Sequence, residues 1–591
     1  MLKEKEFTVL ETLVRQGGAS QRQVADQSGL SLGTVNSTVK ALQQCGLLDG
    51  MTVTDAGRAA LEPYRVGNAV ILAGGLSSRF APISYEKPKG LLRVRGEVLV
   101  ERQIRQLQEA GIDDIAVVVG YKKEQFFYLE DRFGVSIVVN EEYAERNNHS
   151  SLMVVADRLG STYICSSDDY FTANPFSPYA WKSYYAAQYQ EGSTEEWCMA
   201  LGSGRRITGV SIGGADAWYM MGHAYFDRAF SERFVEVLRA EYDHPETRDK
   251  LWEQLYIDHI RELDMVMRPY PEGVINEFDS LDELRSFDAD FLENVDSEIF
   301  ANIERVLGCN RADIADIYPL KQGLTNLSCH FRIGTDEYVY RHPGVGTEKL
   351  VDRRSEAHAQ AVARDLGLDH TFIFEDEAEG WKLSHFIPGC QTLDTDDDAQ
   401  LKRAMAMART LHDSGKAVEK RFDFYRESCR YEDLLGGRAT IDIPDYADLA
   451  AQVDRLYELV AREESCVCLT HNDFFPLNIL VDGQDAMHLI DWEYAGMADY
   501  ASDFGTFVVC AQLAEPRARQ ALALYFGREP TAAELRHNYA FVAFAGWCWY
   551  VWSLYKEAQG ELVGEWLHIY YRYGKEYLRR ALALYGEEGV R

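Results

Sequence analysis

The segment Leu469-Thr-His471-Asn-Asp473-Phe-Phe-Pro-Leu-Asn478-Ile-Leu-Val, followed by His488-Leu-Ile-Asp491-Trp-Glu493, constrains the fold of this chain more than any other. Apolar runs bracket a His-x-Asp-x4-Asn loop, so the loop is expected to join two strands and to hold its polar residues at their ends. A further apolar run then stops at Asp491. Asp473, Asn478 and Asp491 are of the residue types that can take a proton from an acceptor hydroxyl or bind Mg2+ through oxygen.

The spacing follows the catalytic-loop logic of kinases. The loop lacks His-Arg-Asp, and Asp491 is followed by Trp-Glu, so a conventional protein kinase is not expected. The pattern resembles the aminoglycoside and choline kinase group. Residues 296–591 read as a short helix, a strand-rich stretch through CHFRIGTDEYVYRHPG, and then mostly helix. The resemblance implies a two-lobed fold with ATP as phosphoryl donor. It puts Gly323, Thr325 and Asn326 in a phosphate loop, with Arg341 beside the nucleotide and paired to Glu356.

Gly546-Trp547-Cys-Trp549-Tyr550-Val-Trp552 gathers aromatic rings on one helical stretch. A quaternary ammonium has no N–H to donate, so it is recognised by aromatic faces and nearby carboxylates, at roughly 0.5–2 kcal/mol per ring. The same rings could simply fill a helical core. The segment is similar to bacterial choline kinases, which implies that Trp547, Trp549 and Trp552 are choline-site candidates.

A second signal lies upstream. The run NAVILAGG ends in Leu72-Ala73-Gly74-Gly75-Leu-Ser-Ser-Arg79, and Glu86-Lys-Pro-Lys89-Gly90 follows. Glycines at a strand end let backbone N–H groups approach phosphate oxygens, since no Cβ stands in the way. Arg79 and Lys89 add the positive charge that a triphosphate needs. No G-x-x-x-x-G-K-[ST] loop is present. Runs such as DIAVVVGY and VSIVVN alternate with helical stretches such as VERQIRQLQEAGI, predicting a mainly parallel, helix-covered, Rossmann-like sheet. Acids occur at Asp168-Asp169, past a strand end, and at Glu277 and Asp279, which share a face of an extended segment. They are either Mg2+ ligands or solvated loop acids.

Strand, glycine loop, Arg and Pro-Lys together resemble the nucleotidyltransferases that join a phosphorylated small molecule to an NTP and release pyrophosphate. NNHSSLMVVADRL, SDDYF, Glu196-Trp197, LWEQLYIDHIRELDM and INEFDSLDEL, in that order, extend the likeness to bacterial phosphocholine cytidylyltransferases over 66–292. The resemblance implies that Asp168, Glu277 and Asp279 bind metal and that Lys89 meets the reacting phosphates. Leu72, Ala73, Gly74 and Gly75 would hold CTP, and Ser150 and Ser151 would contact its base. Trp197, Trp252 and Glu253 would surround the trimethylammonium group. Asn often follows the first metal Asp in that family, so Asp169 is a departure.

Residues 1–62 carry their own pattern. Two short helices, a Gly-containing turn and a third helix opened by Ser31 resemble bacterial winged helix-turn-helix domains. Ser31, Thr34, Asn36, Ser37 and Lys40 lie on the expected recognition helix. Six basic against seven acidic residues give no phosphate-binding excess. DNA binding and a regulatory or oligomerising remnant both remain open.

The whole chain carries 61 Lys+Arg against 94 Asp+Glu, a net charge of -33, which disfavours a nucleic-acid or membrane coat. Eleven scattered cysteines without C-x-x-C spacing predict reduced thiols. The start MLKEKEFTVLETL lacks the continuous apolar region of a signal peptide, and the most apolar window, 539–555, is broken by Gly546. A cytoplasmic enzyme with no membrane insertion is expected.

The expectation is a three-part chain: winged helix 1–62, nucleotidyltransferase 66–292 and kinase-like region 296–591. By resemblance it makes phosphocholine from choline and ATP, then CDP-choline from phosphocholine and CTP, for decoration of surface glycans. Ethanolamine or another amino alcohol is the alternative substrate. A transcriptional regulator that senses choline metabolites is the alternative class.

Overall fold

A computed structural model describes residues 2–320, 326–344, 352–560 and 562–588. The chain forms two compact units, one made chiefly of 1–304 and one chiefly of 320–591. The first is larger than the expected transferase because it absorbs both the N-terminal domain and the segment after 292.

The N-terminal part is a winged helix: helices Glu4–Gln16, Gln21–Ser28 and Leu32–Gln44, a two-stranded wing of Leu48–Asp49 and Thr52–Val53, and helix Asp55–Leu61. Ser20 and Gln23 form a capping box at the second helix, and the Ser31 hydroxyl accepts the Thr34 N–H at the third. Phe7, Leu10, Val24, Val35, Val39 and Leu61 fill its core, which Tyr179, from the region after it, completes. Tyr64 stacks on Trp181 at 4.9 Å, and the Ser177 hydroxyl donates to buried Glu11 at 2.6 Å.

Residues 66–292 are built on a seven-stranded sheet. Strands Asn68–Ala73, Ile115–Val119, Ser136–Val139 and Thr162–Ser166 run parallel, with Leu72 opposite both Val118 and Ser166. Three of the four are mostly buried, as a helix-covered parallel sheet requires, while the edge strand Ser136–Val139 is half-exposed. The long strands Tyr184–Leu201 and Ile207–Phe226 form an antiparallel hairpin that extends the sheet past Thr162–Ser166.

The second unit has a small lobe and a helical lobe. The small lobe is a five-stranded sheet in the order Ile314–Pro319, Asn326–Ile333, Asp336–Pro343, Lys382–His385, Phe372–Glu375, with helix Arg353–Asp365. The helical lobe centres on Ala532–Ala558 packed against Trp566–Glu588. A Cβ on Gly546 would stand 2.5 Å from the Gly574 nitrogen, so these helices cross where only glycine fits. No helix among the described residues is long and apolar enough to cross a membrane. None of the eleven cysteines forms a disulfide.

Candidate active sites

In the first unit the strand Asn68–Ala73 delivers Leu72, Ala73, Gly74 and Gly75 to the wall of a cavity of about 200 Å³. A Cβ on Gly75 would meet nothing within 4 Å, so this backbone is open to a ligand. Lys89 reaches the same cavity from the segment after helix Ile83–Glu86, and its Nζ stands 2.6 Å from Asp168 Oδ2. Burial works against both charges. The pair nonetheless holds Asp168 below, and Lys89 above, its ordinary pKa.

The acids gather as their spacing suggested, but unevenly. Burial and then Asp168 push Glu277 up to about 8. Asp169 is fully buried, neither of its carboxylate oxygens has a hydrogen-bond partner, and burial with Glu277 and Asp168 raises it well above normal. Asp279 is exposed and pairs with exposed Arg79 at 3.4 Å. Both line an adjoining cleft that also contains Lys89 and Asp168. Among the described residues no three His, Cys, Asp or Glu side chains stand in metal-holding geometry. The mutual repulsion of Asp168, Asp169 and Glu277 is the situation a divalent cation relieves, so the donor set fits Mg2+.

Trp252 stacks on Tyr185 with centroids 5.7 Å apart, and both line the cavity. Glu253 accepts from the Tyr185 hydroxyl at 3.2 Å and from Asn148 at 3.3 Å, and burial raises it to about 7. Tyr185 was missed in the sequence because it lies inside a long, otherwise unremarkable strand. Asn148 was visible in the NNHSS motif. Ser151 lines the cavity; the Ser150 hydroxyl, which does not, contacts Asn140 and Asn147. Trp197 stands elsewhere, opposite Ile212 on the hairpin, lining a separate pocket with Lys250, Gln254 and Asp258.

In the second unit Asn478 Nδ2 donates to Asp473 Oδ2 at 2.9 Å. The turn before it is tied down by Asp503, which accepts the N–H groups of His471 at 3.0 Å and Asn472 at 2.6 Å. Asp503-Phe504-Gly505 is thus an Asp-Phe-Gly string that serves as a brace on helix Ala501–Cys510. Asp491 lies 3.5 Å from Arg341, whose other nitrogen is 2.5 Å from Glu356 and 3.3 Å from Glu375. Burial, opposed chiefly by Arg341, leaves Glu356 at about 2, whereas burial with Asp491 and Glu493 raises Asp473 well above normal. That repulsion again suits a cation between Asn478 and Asp491. Asn326 donates to Glu493 at 3.2 Å; Gly323 and Thr325 lie outside the described residues.

The three tryptophans separate. Residues two positions apart on a helix point about 200° apart, so Trp547 and Trp549 face different neighbours. Trp549 packs edge-on to Tyr494 at 5.4 Å and to Trp552 at 5.9 Å, while Trp547 packs on Tyr446 at 4.9 Å. Tyr494 adjoins Glu493, which burial and Asp491 raise to about 7. On the winged helix, Asn36, Ser37 and Lys40 are exposed, Thr34 is half-buried and Ser31 is exposed at the cap.

Family models match at residues 2–49 (winged helix-turn-helix DNA-binding), 69–171 (MobA-like NTP transferase domain) and 316–537 (phosphotransferase enzyme family). A choline-phosphate cytidylyltransferase of Streptococcus pneumoniae is 34% identical over 220 residues, 37% of this chain and 96% of that protein. A 2-aminoethylphosphonate cytidylyltransferase of Lancefieldella rimae is 37% identical over 225 residues, 37% of this chain and 92% of that protein. Protein LicA of Haemophilus influenzae is 26% identical over 254 residues, 41% of this chain and 94% of that protein.

Proposed function

This chain belongs to the nucleotidyltransferase family of the choline-phosphate and 2-aminoethylphosphonate cytidylyltransferases, joined to a phosphotransferase domain, and we propose that its two sites act in sequence on one amino alcohol, choline. The observation that carries this reading is a repeated motif. Each unit brings a carboxylate near aromatic side chains: Glu253 accepts from the Tyr185 hydroxyl and Tyr185 stacks on Trp252 in one, and Glu493 directly precedes Tyr494, which packs edge-on to Trp549, in the other. Burial raises both carboxylates to about 7, with Asp491 adding to it at Glu493, and a methylated ammonium would favour their charged forms without needing a hydrogen-bond acceptor.

In the phosphotransferase site Asp473 accepts the choline hydroxyl proton as that oxygen bonds to the γ-phosphorus of ATP and ADP departs. Its raised pKa makes it a better proton acceptor. Asn478 orients the Asp473 carboxylate, and Arg341 is fixed by Glu356. In the transferase site no base is needed, since a phosphomonoester with second pKa near ~6 is already largely dianionic at neutral pH. Its oxygen bonds to the α-phosphorus of CTP and pyrophosphate leaves, with Lys89 and Arg79 offsetting the converging negative charge. Asp168, Glu277 and Asp279 in one site, and Asn478 and Asp491 in the other, would hold Mg2+, which when bound supplies further charge neutralisation.

A phosphonate carries a C–P bond that phosphorylation of an alcohol does not form, so the fused phosphotransferase favours a phosphate ester over 2-aminoethylphosphonate. Surface-glycan decoration is the use we propose for the CDP-choline. The test is purified protein with labelled choline, ATP and CTP. CDP-choline is the expected product; CDP-ethanolamine formed in preference from equal alcohols, or no CDP-alcohol at all, overturns the reading. DNA binding through 1–62 is assayed separately by titration with duplex DNA.

A further inference from the structure

Lys89 sits at the end of a short, almost wholly buried stretch, Phe80–Leu92, and its placement against Asp168 depends on what holds that stretch. On one side Gly90 lies so close to Ser167 that a Cβ would stand 2.7 Å from the Ser167 hydroxyl. On the other side the support comes from beyond the expected end of the domain. Glu86, three residues before Lys89, accepts the Ile299 N–H through Oε1 at 3.0 Å, at the first turn of helix Glu298–Leu307. The Ser297 hydroxyl accepts the Phe300 N–H at 3.3 Å and so caps the helix start that meets this carboxylate. A carboxylate at a helix N-terminus meets free N–H groups and the positive end of the dipole.

The contact is not a loose surface one. Ile299, Phe300 and Ile303 are buried, and Arg311 ties the preceding segment down by donating to the Val295 carbonyl at 2.6 Å. The backbone carbonyl of Glu86 is held as well, by Gln125 at 3.0 Å. Glu86 is therefore gripped at both its backbone and its carboxylate, and Lys87-Pro88 is the only chain between it and Lys89.

We infer that Glu86 is a positioning residue for cytidylyl transfer, holding Lys89 against Asp168 by anchoring its segment to the N-terminus of helix Glu298–Leu307. It touches no reacting atom. The transferase machinery thus extends past residue 292 to include Ser297–Ile299, a part of the chain that the catalytic motifs do not mark. This inference rests on the reading of the first site as a cytidylyltransferase.

The test uses the full chain, with phosphocholine and CTP for one activity and choline and ATP for the other. Glu86→Ala is expected to lower kcat for transfer at least tenfold, with KM for CTP changed less than threefold and phosphorylation unchanged. Glu86→Gln keeps an oxygen acceptor for the Ile299 N–H and is expected to stay within threefold of wild type. Ser297→Ala is expected to lower kcat by a smaller factor, and Glu86→Ala/Ser297→Ala to be no slower than Glu86→Ala alone. If Glu86→Ala does not fold, Ser297→Ala, which removes the cap of the helix start that Glu86 meets, decides: wild-type kcat in that variant overturns the inference. Wild-type kcat in folded Glu86→Ala, or losses that multiply in the double variant, also overturn it. A wild-type chain that phosphorylates choline but transfers no cytidylyl group would instead refute the underlying reading.

Discussion

Lys89 Nζ stands 2.6 Å from Asp168 Oδ2, joining a loop that follows one strand of the transferase sheet to the end of the neighbouring strand. Each charge is buried and depends on the other.

Lys89→Ala is expected to reduce cytidylyl transfer by about 10²-fold or more, the scale seen when a preorganised charge-stabilising group is removed. Steady-state kinetics with added phosphocholine and CTP checks this. The variant also strands Asp168, and losing one partner of a buried pair costs about 3 kcal/mol, so denaturation of the transferase unit should begin at lower urea.

Asp473→Ala is expected to abolish ATP-dependent phosphorylation of choline while transfer from supplied phosphocholine stays at the wild-type rate. The two assays on one preparation separate the sites; loss of both in a folded protein would contradict independent chemistry.

The tryptophans make opposite forecasts. Trp549→Ala should raise KM for choline by about 2- to 30-fold, the equivalent of roughly 0.5–2 kcal/mol of cation–π attraction. Trp547→Ala, whose ring packs on Tyr446, should leave KM unchanged and lower stability by about 3 kcal/mol as a core truncation. Kinetics and equilibrium unfolding of the two variants distinguish the roles.

His537 lies between Asp499 at 2.9 Å and Glu463 at 3.1 Å. Burial lowers its pKa, but the two carboxylates outweigh that and hold it above 6.5. A raised pKa means the folded state keeps a proton that the unfolded state releases. The stabilisation is therefore complete below pH 6.5 and is lost as pH rises through the folded value. Unfolding free energies measured from pH 5 to 9 should fall less steeply for His537→Gln than for wild type.

The catalytic loops and the glycine loop were legible because their chemistry is local: a few residues at fixed spacing beside an apolar strand. Asp473 with Asn478, and Gly74 with Gly75, needed only the chain around them. Helical spacing alone could have separated Trp547 from Trp549, but not said which of the two meets Tyr494. Trp197 was expected beside Trp252, yet the hairpin carries it to another pocket. Tyr185 had no motif to mark it, and nothing in the sequence around Glu86 points to Ile299.

By itself the amino-acid order determined the three patterns along the chain, the strand-end glycines, and the residue types able to move a proton or hold a metal. Those follow from side-chain chemistry and from the periods of helix and strand. Only the tertiary structure decided which distant segments meet: Asn148 with Glu253, Asp503 with the turn before Asp473, Tyr179 with the winged-helix core, and Ile299 with Glu86. Such pairings depend on how whole faces bury apolar surface together, and no spacing within a motif records that.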